Sequence, residues 1–175
     1  RLHRGAKDIH HHVGVSAFAE RAVLSRNSLV KIDPTLPFET AALFGCAVLT
    51  GVGAVVNTAQ VRAGTSVAVV GLGGVGLNAL LAARLCGAAR IVALDVLDDK
   101  LALARQLGAT DTINAADADA VAKVREATSG GADYAFEMVG SVKAMALAYR
   151  VTRRGGTTVS AGLSHPDHTF DLPHV

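Results

Sequence analysis

A short β-branched run, Val67-Ala68-Val69-Val70, passes directly into Gly71-Leu72-Gly73-Gly74-Val75-Gly76, and apolar residues at helical spacing follow at Val75, Leu77, Leu80, Leu81 and Leu85. A strand that turns at once into a helix through glycines constrains the fold more than any other feature of the chain. The helix leaves the end of the strand and must cross back over the sheet before the next strand can begin, which produces a right-handed parallel β-α-β unit. The order that follows repeats this logic. Strands are expected at Arg90 to Leu94, Thr110 to Ile113, Asp133 to Met138 and Thr157 to Ala161. Helices are expected at Asp98 to Leu107, Asp117 to Thr128 and Ser141 to Arg150, with Gly108 a natural helix stop, Asp117 a helix cap and Gly155-Gly156 a turn. The fold class is therefore α/β, a doubly wound parallel sheet of the Rossmann kind.

Upstream, the pattern is different. Ser16 to Val23 and Ser28 to Ile32 read as short strands around the turn-prone Ser25-Arg26-Asn27, so a short β segment is expected ahead of the α/β part. Asp33-Pro34-Thr35-Leu36-Pro37 ends it. From Phe38 to Val61 the text is helical, with a short helix, a break near Gly45-Cys46 and a longer helix, and Gly45, Gly51 and Gly53 suggest that something approaches the backbone closely. The domains are expected at 1–36 and 37–175.

The glycine string carries chemistry because of where it sits. Gly71 permits the tight turn, Gly73 lets a pyrophosphate approach the backbone, and Gly76 lets the helix pack on the sheet; Leu72, Gly74 and Val75 complete the loop. Helix N-terminal amides and the positive end of the dipole would then receive phosphate charge. Asp95 closes the second strand 19 residues beyond Gly76, near the spacing of about 20 at which an acidic residue holds the adenosine ribose hydroxyls. A carboxylate there repels a 2′-phosphate, and Val96 and Leu97 bring no arginine to neutralise one, so the expected cofactor is NAD rather than NADP. Lys100 is within range of the same ribose, although a solvated surface role suits it equally well.

Composition removes other classes. Lys and Arg number 17 against 15 Asp and Glu, a net charge of +2 without clusters, so neither a nucleic-acid nor a polybasic membrane partner is expected. Half the residues are hydrophobic, enough for a sizeable core rather than a disordered chain. Two cysteines, Cys46 and Cys86, exclude a disulfide scaffold and a four-cysteine zinc knuckle, and a reducing, cytoplasmic setting is expected. No apolar run is expected to reach a membrane span, and nothing at the start of the chain resembles a signal core. The missing initiator Met suggests a piece of something longer.

Several strings agree with one family. Gly45-Cys46, Thr50-Gly51-x-Gly53, the glycine loop, and Ala88-Ala89-Arg90-Ile91-Val92-Ala93-Leu94-Asp95 resemble the zinc-dependent medium-chain alcohol dehydrogenases in order and spacing. Leu107-Gly108-Ala109-Thr110, Gly130-Gly131-Ala132-Asp133 and Phe136-Glu137-Met138-Val139-Gly140 extend the likeness over nearly the whole chain. The resemblance implies the end of a GroES-like catalytic domain at 1–36 and a Rossmann cofactor domain, without its last strand, at 37–175. It implies that Cys46 is one ligand of a catalytic zinc, whereas taken by itself a lone cysteine in an apolar helix is more often core. Thr50 and Val75 match positions around the nicotinamide. Val139, Gly140, Ala161, Gly162 and Leu163 match the wall and backbone that hold its ribose and carboxamide. Cys86 has no such match and reads as core. His12 and Val13 fall where the family has substrate-pocket residues. His10-His11-His12 itself suits neither a metal site nor a tag, because neighbouring side chains on an extended chain alternate in direction.

The implied activity is hydride transfer between an alcohol and NAD, or in reverse from NADH to an aldehyde or ketone, with zinc lowering the pKa of bound alcohol. The resemblance places the other zinc ligands upstream of Arg1 and the dimer edge beyond Val175, so the chain is expected to bind NAD(H) without oxidising alcohols alone, within a homo-oligomeric full-length protein. Three rivals remain at this point: a zinc-free quinone-type reductase of the same superfamily, a non-enzymatic dinucleotide-sensing module, and, more weakly, a methyltransferase. A role for Cys46 speaks for zinc against the first, and the Gly45-Cys46 to Thr50 string speaks against the second.

Overall fold

The computed structural model describes residues 2–9 and 20–170. They fall into two compact units, Arg1–Ala41 and Ala42–Val175. His10 to His12, Val13 and the first part of the Ser16 to Val23 stretch lie outside the described residues.

In the first unit, β1 (Leu2–Arg4) and β2 (Lys7–Ile9) form an antiparallel hairpin in which His3 faces Asp8. Gly5, at φ 64°, supplies the left-handed residue that the tight turn needs, and His3 Nδ1 lies 2.8 Å from Asp8 Oδ1 across the strands. The strand expected at Ser28 to Ile32 is not formed, and neither is one at 20–23: a single 3-10 turn occupies Arg26–Ser28, and the flanking chain pairs with no strand. The apolar residues that suggested a strand, Leu29, Val30 and Ile32, are exposed, so no buried face holds them in a sheet.

The second unit is built on five parallel strands. They are β3 (Ser66–Val70), β4 (Arg90–Asp95), β5 (Asp111–Asn114), β6 (Ala132–Glu137) and β7 (Thr152–Ser160), in the spatial order β5-β4-β3-β6-β7. The order reverses at β3, between β4 and β6, and there the strand ends open a crevice. Alternation in β3 sends Val67 and Val69 into one core layer and Ala68 and Val70 into the other. The first layer adds Leu80, Ile91, Ala93 and Phe136; the second adds Val92, Leu94, Val124, Ala135 and Ala148. Both faces are covered, as a parallel sheet requires.

The long apolar helix α1 (Phe38–Thr58) corrects two expectations. It runs on through Gly45-Cys46 without a break, widening into π-helical turns at Phe44–Val48 and Ala54–Thr58. At 21 residues it is also long and apolar enough to cross a membrane by length and composition, against the expectation that no run would be. Its only charged residue, Glu39, sits in the first turn, so nothing interrupts the remainder. Gly51, Ala54 and Val55 are nevertheless buried within the α/β unit. A Cβ on Gly51 would run into the Val75 carbonyl and stand 2.8 Å from Asn78 Cβ, so here the backbones do approach closely.

The remaining helices are α2 (Gly74–Leu85), α3 (Asp98–Leu107), α4 (Ala120–Ala127) and α5 (Val142–Val151). Gly108 stops α3 at φ 112°, as expected of a C-terminal glycine. Asp117 does not cap α4. Its carboxylate pairs with Lys123 at 2.7 Å and its backbone takes part in turns before the helix, which starts three residues later than expected. Strand β7 begins at Thr152, and Gly155-Gly156 is not a turn between elements but a bulge inside it: Ala132 pairs with Thr152, while Tyr134 already pairs with Thr157.

At the other end of the sheet, Asp133 ties three strands together. Its Oδ2 accepts from the Ser66 backbone N–H at 2.7 Å and the Ser66 hydroxyl at 2.8 Å, and its Oδ1 accepts from Arg153 Nε at 2.6 Å. These bonds, the Ser66 amide first, hold its carboxyl below the ordinary aspartate range despite partial burial. A depressed folded-state value contributes stability that is present above the unfolded value and is lost as pH falls through the folded one. Denaturant melts of wild type and Asp133→Asn should therefore differ most near neutral pH and converge below the ordinary aspartate range; a gap that does not change with pH would refute the assignment.

Candidate functional site

The site is built where β3, β4 and β6 end. The Gly71 amide donates to Leu94 O at 2.8 Å and the Met138 amide donates to Val70 O at 2.9 Å, which seats the end of β3 between its two neighbours. Gly71 then takes φ 92°, a conformation that would strain any other residue. A Cβ on Gly76 would overlap the Gly71 carbonyl, and a Cβ on Gly71 would collide with the Val139 side chain. By contrast, Gly73 has φ −72° and nothing lies within 4 Å of where its Cβ would be. The helix α2 starts there without a side-chain cap, which leaves its first amides without a side-chain acceptor at the cap.

Asp95 is half-buried at the end of β4 and reaches over this turn. Its Oδ2 accepts from the Leu72 amide at 2.7 Å and its Oδ1 from the Leu97 amide at 3.1 Å, so the carboxylate fixes the glycine loop and still has lone pairs to offer. Gly71, Asp95, Val96, Val139 and Ser141 line a cleft of about 760 Å3 that continues down between α4 and α5. The arrangement suits a dinucleotide: an uncapped helix start for the diphosphate, a carboxylate at the end of the next strand, and apolar Val96 and Val139 lining the same cleft as that carboxylate.

Ala47 approaches Gly74, with Ala47 Cβ 3.4 Å from an ideal Gly74 Cβ, and Gly51 packs on α2, so the stretch from Cys46 to Thr50 runs alongside the start of the glycine-loop helix. Cys46 is exposed, Thr50 is half-buried, and Cys86 packs partly against the core. Among the described residues no three His, Cys, Asp or Glu side chains come together as a metal site, so Cys46 has no companion ligands here. Lys100 lies in the first turn of α3 and is not among the residues lining the cleft. Ala161, Gly162 and Leu163 follow β7 and lie against the Val139-Gly140 turn: a Cβ on Gly140 would meet the Leu163 backbone, and one on Gly162 would meet Gly140 N.

One residue of the site was missed in the sequence. Glu137, at the end of β6, is fully buried and accepts from the amides of Val139 and Gly140 and from the Ser160 hydroxyl. The available signal was a single carboxylate inside the otherwise apolar run from Ala135 to Val139.

The fold is an α/β domain of the Rossmann kind, with an open crevice at the switch point of its sheet. Residues 74–175 match the model of a family described as zinc-binding dehydrogenase. Among solved structures, benzyl alcohol dehydrogenase from Acinetobacter calcoaceticus is 36% identical with a TM-score of 0.87, over 91% of this chain and 44% of that one. An alcohol dehydrogenase zinc-binding domain protein from Burkholderia ambifaria is 38% identical with a TM-score of 0.85, over 90% and 42% of the two chains. The alcohol dehydrogenase of Thermus sp. ATN1 is 36% identical with a TM-score of 0.76, over 83% and 41%. The chain belongs to the zinc-binding dehydrogenase family. It spans less than half the length of these solved relatives.

The glycines make separate demands that unfolding experiments can distinguish. Gly73→Ala should change stability by less than about 1 kcal/mol, since only the cap preference is affected. Gly76→Ala should cost on the order of 1–3 kcal/mol, because the helix must move off the Gly71 carbonyl. Equal losses in denaturant titration would contradict the packing described.

Proposed function

We propose that this chain is the cofactor-binding part of an NAD-dependent dehydrogenase that moves hydride between an alcohol and the corresponding aldehyde or ketone. The observation that carries the reading is the uncapped glycine turn at the switch point of the sheet, held by the Asp95 carboxylate through the Leu72 amide. The family membership and the alcohol dehydrogenases among the solved relatives support the reaction class. Bound nicotinamide would supply the hydride acceptor or donor.

The chain's own residues bind and orient. Leu72, Gly73, Gly74, Val75 and Gly76 present the turn and the first amides of α2 to the diphosphate, with Gly71 fixing their direction. Asp95 accepts from the ribose hydroxyls, and Lys100 is a lesser candidate for the same ribose. Thr50, Val139, Gly140, Ala161, Gly162 and Leu163 flank the nicotinamide end. Cys46 is proposed as one thiolate of a zinc site. The described residues do not assemble a set of ligands for that metal, so no chemical step is derived through it.

In the same reading, residues 1–36 are the end of a GroES-like catalytic domain and 37–175 the cofactor domain, with small alcohols or carbonyls as substrates. Oligomerisation fits the open edge of β7, which has no strand beyond it among the described residues. Two cysteines without a disulfide suit a cytoplasmic protein.

Titration of the chain with NADH and NADPH, followed by nicotinamide fluorescence, tests the reading. NADH should bind with NADPH at least about tenfold weaker, the size expected when a half-buried carboxylate meets a phosphate. Asp95→Ala should weaken NADH and narrow that gap. Absence of NADH binding, or equal affinities in the wild type, would reject the assignment of Asp95. In a protein that carries the remaining catalytic lobe, Cys46→Ala should abolish alcohol oxidation while leaving NADH binding intact.

A further inference from the structure

Glu137 is the one charged or polar side chain that is fully buried among the described residues. A leucine would fill the same volume without the cost of removing a carboxylate from water, so the cost must be offset by what the carboxylate organises. Its Oε1 accepts from the amides of Val139 at 2.8 Å and Gly140 at 2.7 Å, which closes the turn after β6. Its Oε2 accepts from Ser160 Oγ at 2.8 Å, at the end of the neighbouring β7. Its backbone carbonyl receives the amides of Ala161 at 2.9 Å and Gly162 at 3.3 Å. One residue therefore terminates two strands and anchors both loops that leave them. The loops are interlocked above it, with an ideal Cβ on Gly162 only 2.7 Å from the Val139 carbonyl carbon, and Val139 in turn leans on Gly71.

We propose that Glu137 is a positioning residue for the nicotinamide half of the cofactor: its buried carboxylate holds Val139-Gly140 and Ala161-Leu163 in register and thereby sets affinity for that half without touching it. The inference rests on the cofactor reading above. It separates the two ends of the cleft, because the adenosine end is organised by Asp95, whose hydrogen bonds to Leu72 and Leu97 do not involve Glu137. A glutamine at this position keeps an acceptor for both amides, and its NH2 can donate to the Ser160 hydroxyl, which can turn to accept. A leucine leaves two part-buried amides and a hydroxyl without their acceptor.

The chain and its Glu137→Gln and Glu137→Leu variants are titrated with NADH and, separately, with AMP, which carries the adenosine end alone. Glu137→Leu should lose at least about tenfold in NADH affinity while its AMP affinity stays within about threefold of wild type, and Glu137→Gln should stay within about threefold for both. Should Glu137→Leu not fold, Ser160→Ala removes one donor and should weaken NADH by about threefold with AMP unchanged. The proposal is overturned by NADH affinity that matches wild type in Glu137→Leu or, in its place, Ser160→Ala, by equal losses of NADH and AMP, or by a Glu137→Gln variant as weak as Glu137→Leu. A wild-type chain that binds neither NADH nor AMP fails at the earlier step and removes the cofactor reading itself.

Discussion

The structure depends on the contact between Gly76 and the carbonyl of Gly71. With no Cβ on either residue, α2 can start directly above the end of β3, and its axis then lies flat enough on the sheet for Leu80 and Ala83 to reach the core. The rest follows from that approach. Because the helix lies close, Gly51 of α1 can nest against it, and at the end of β3 the neighbouring β4 runs one residue further to Asp95 while β6 ends level with it at Glu137. A side chain at position 76 would lift the helix and separate groups that belong to three different strands.

Two carboxylates at the ends of the strands that flank β3 show how environment divides one chemistry into two tasks. Asp95 spends one oxygen on each of two amides and remains half-exposed, so it can still accept from a guest. Glu137 is enclosed and surrounded by donors, leaving nothing to offer outward. The first is suited to recognition and the second to architecture. Neither difference is visible in residue type alone.

The alternating sheet was legible because its signals are local. Val67 to Val70, Arg90 to Leu94 and the glycine after Leu107 each carry their own instruction, and the observed strands and helices there agree to within a residue. The sequence is ambiguous where the outcome depends on partners distant along the chain. The apolar residues between Val23 and Ile32 resemble strands but have no buried face to join. Gly45-Cys46 reads as a helix break, yet a helix supported along one side by α2 takes Gly45 up in a wider turn and keeps Gly53 in regular α-helix. At the site, the glycines and Asp95 could be placed from spacing. Glu137 could not, because its meaning lies in the Ser160 hydroxyl and the Gly140 amide, which only folding brings to it.

The bulge in β7 has a consequence for how the chain tolerates change in length. Between the pairs Ala132 with Thr152 and Tyr134 with Thr157, β7 spends five residues where β6 spends two, and from Thr157 onward the strands run in step until Ser160 stands opposite Glu137. Side chains alternate along a strand, so the parity of that detour decides which side of the sheet every later residue faces. Removing two residues from Arg153 to Gly156 would preserve the phase. Removing one would turn Ser160 away from Glu137 and bring its neighbour into that place, so the segment works as a phase counter whose even changes are silent and whose odd changes are not.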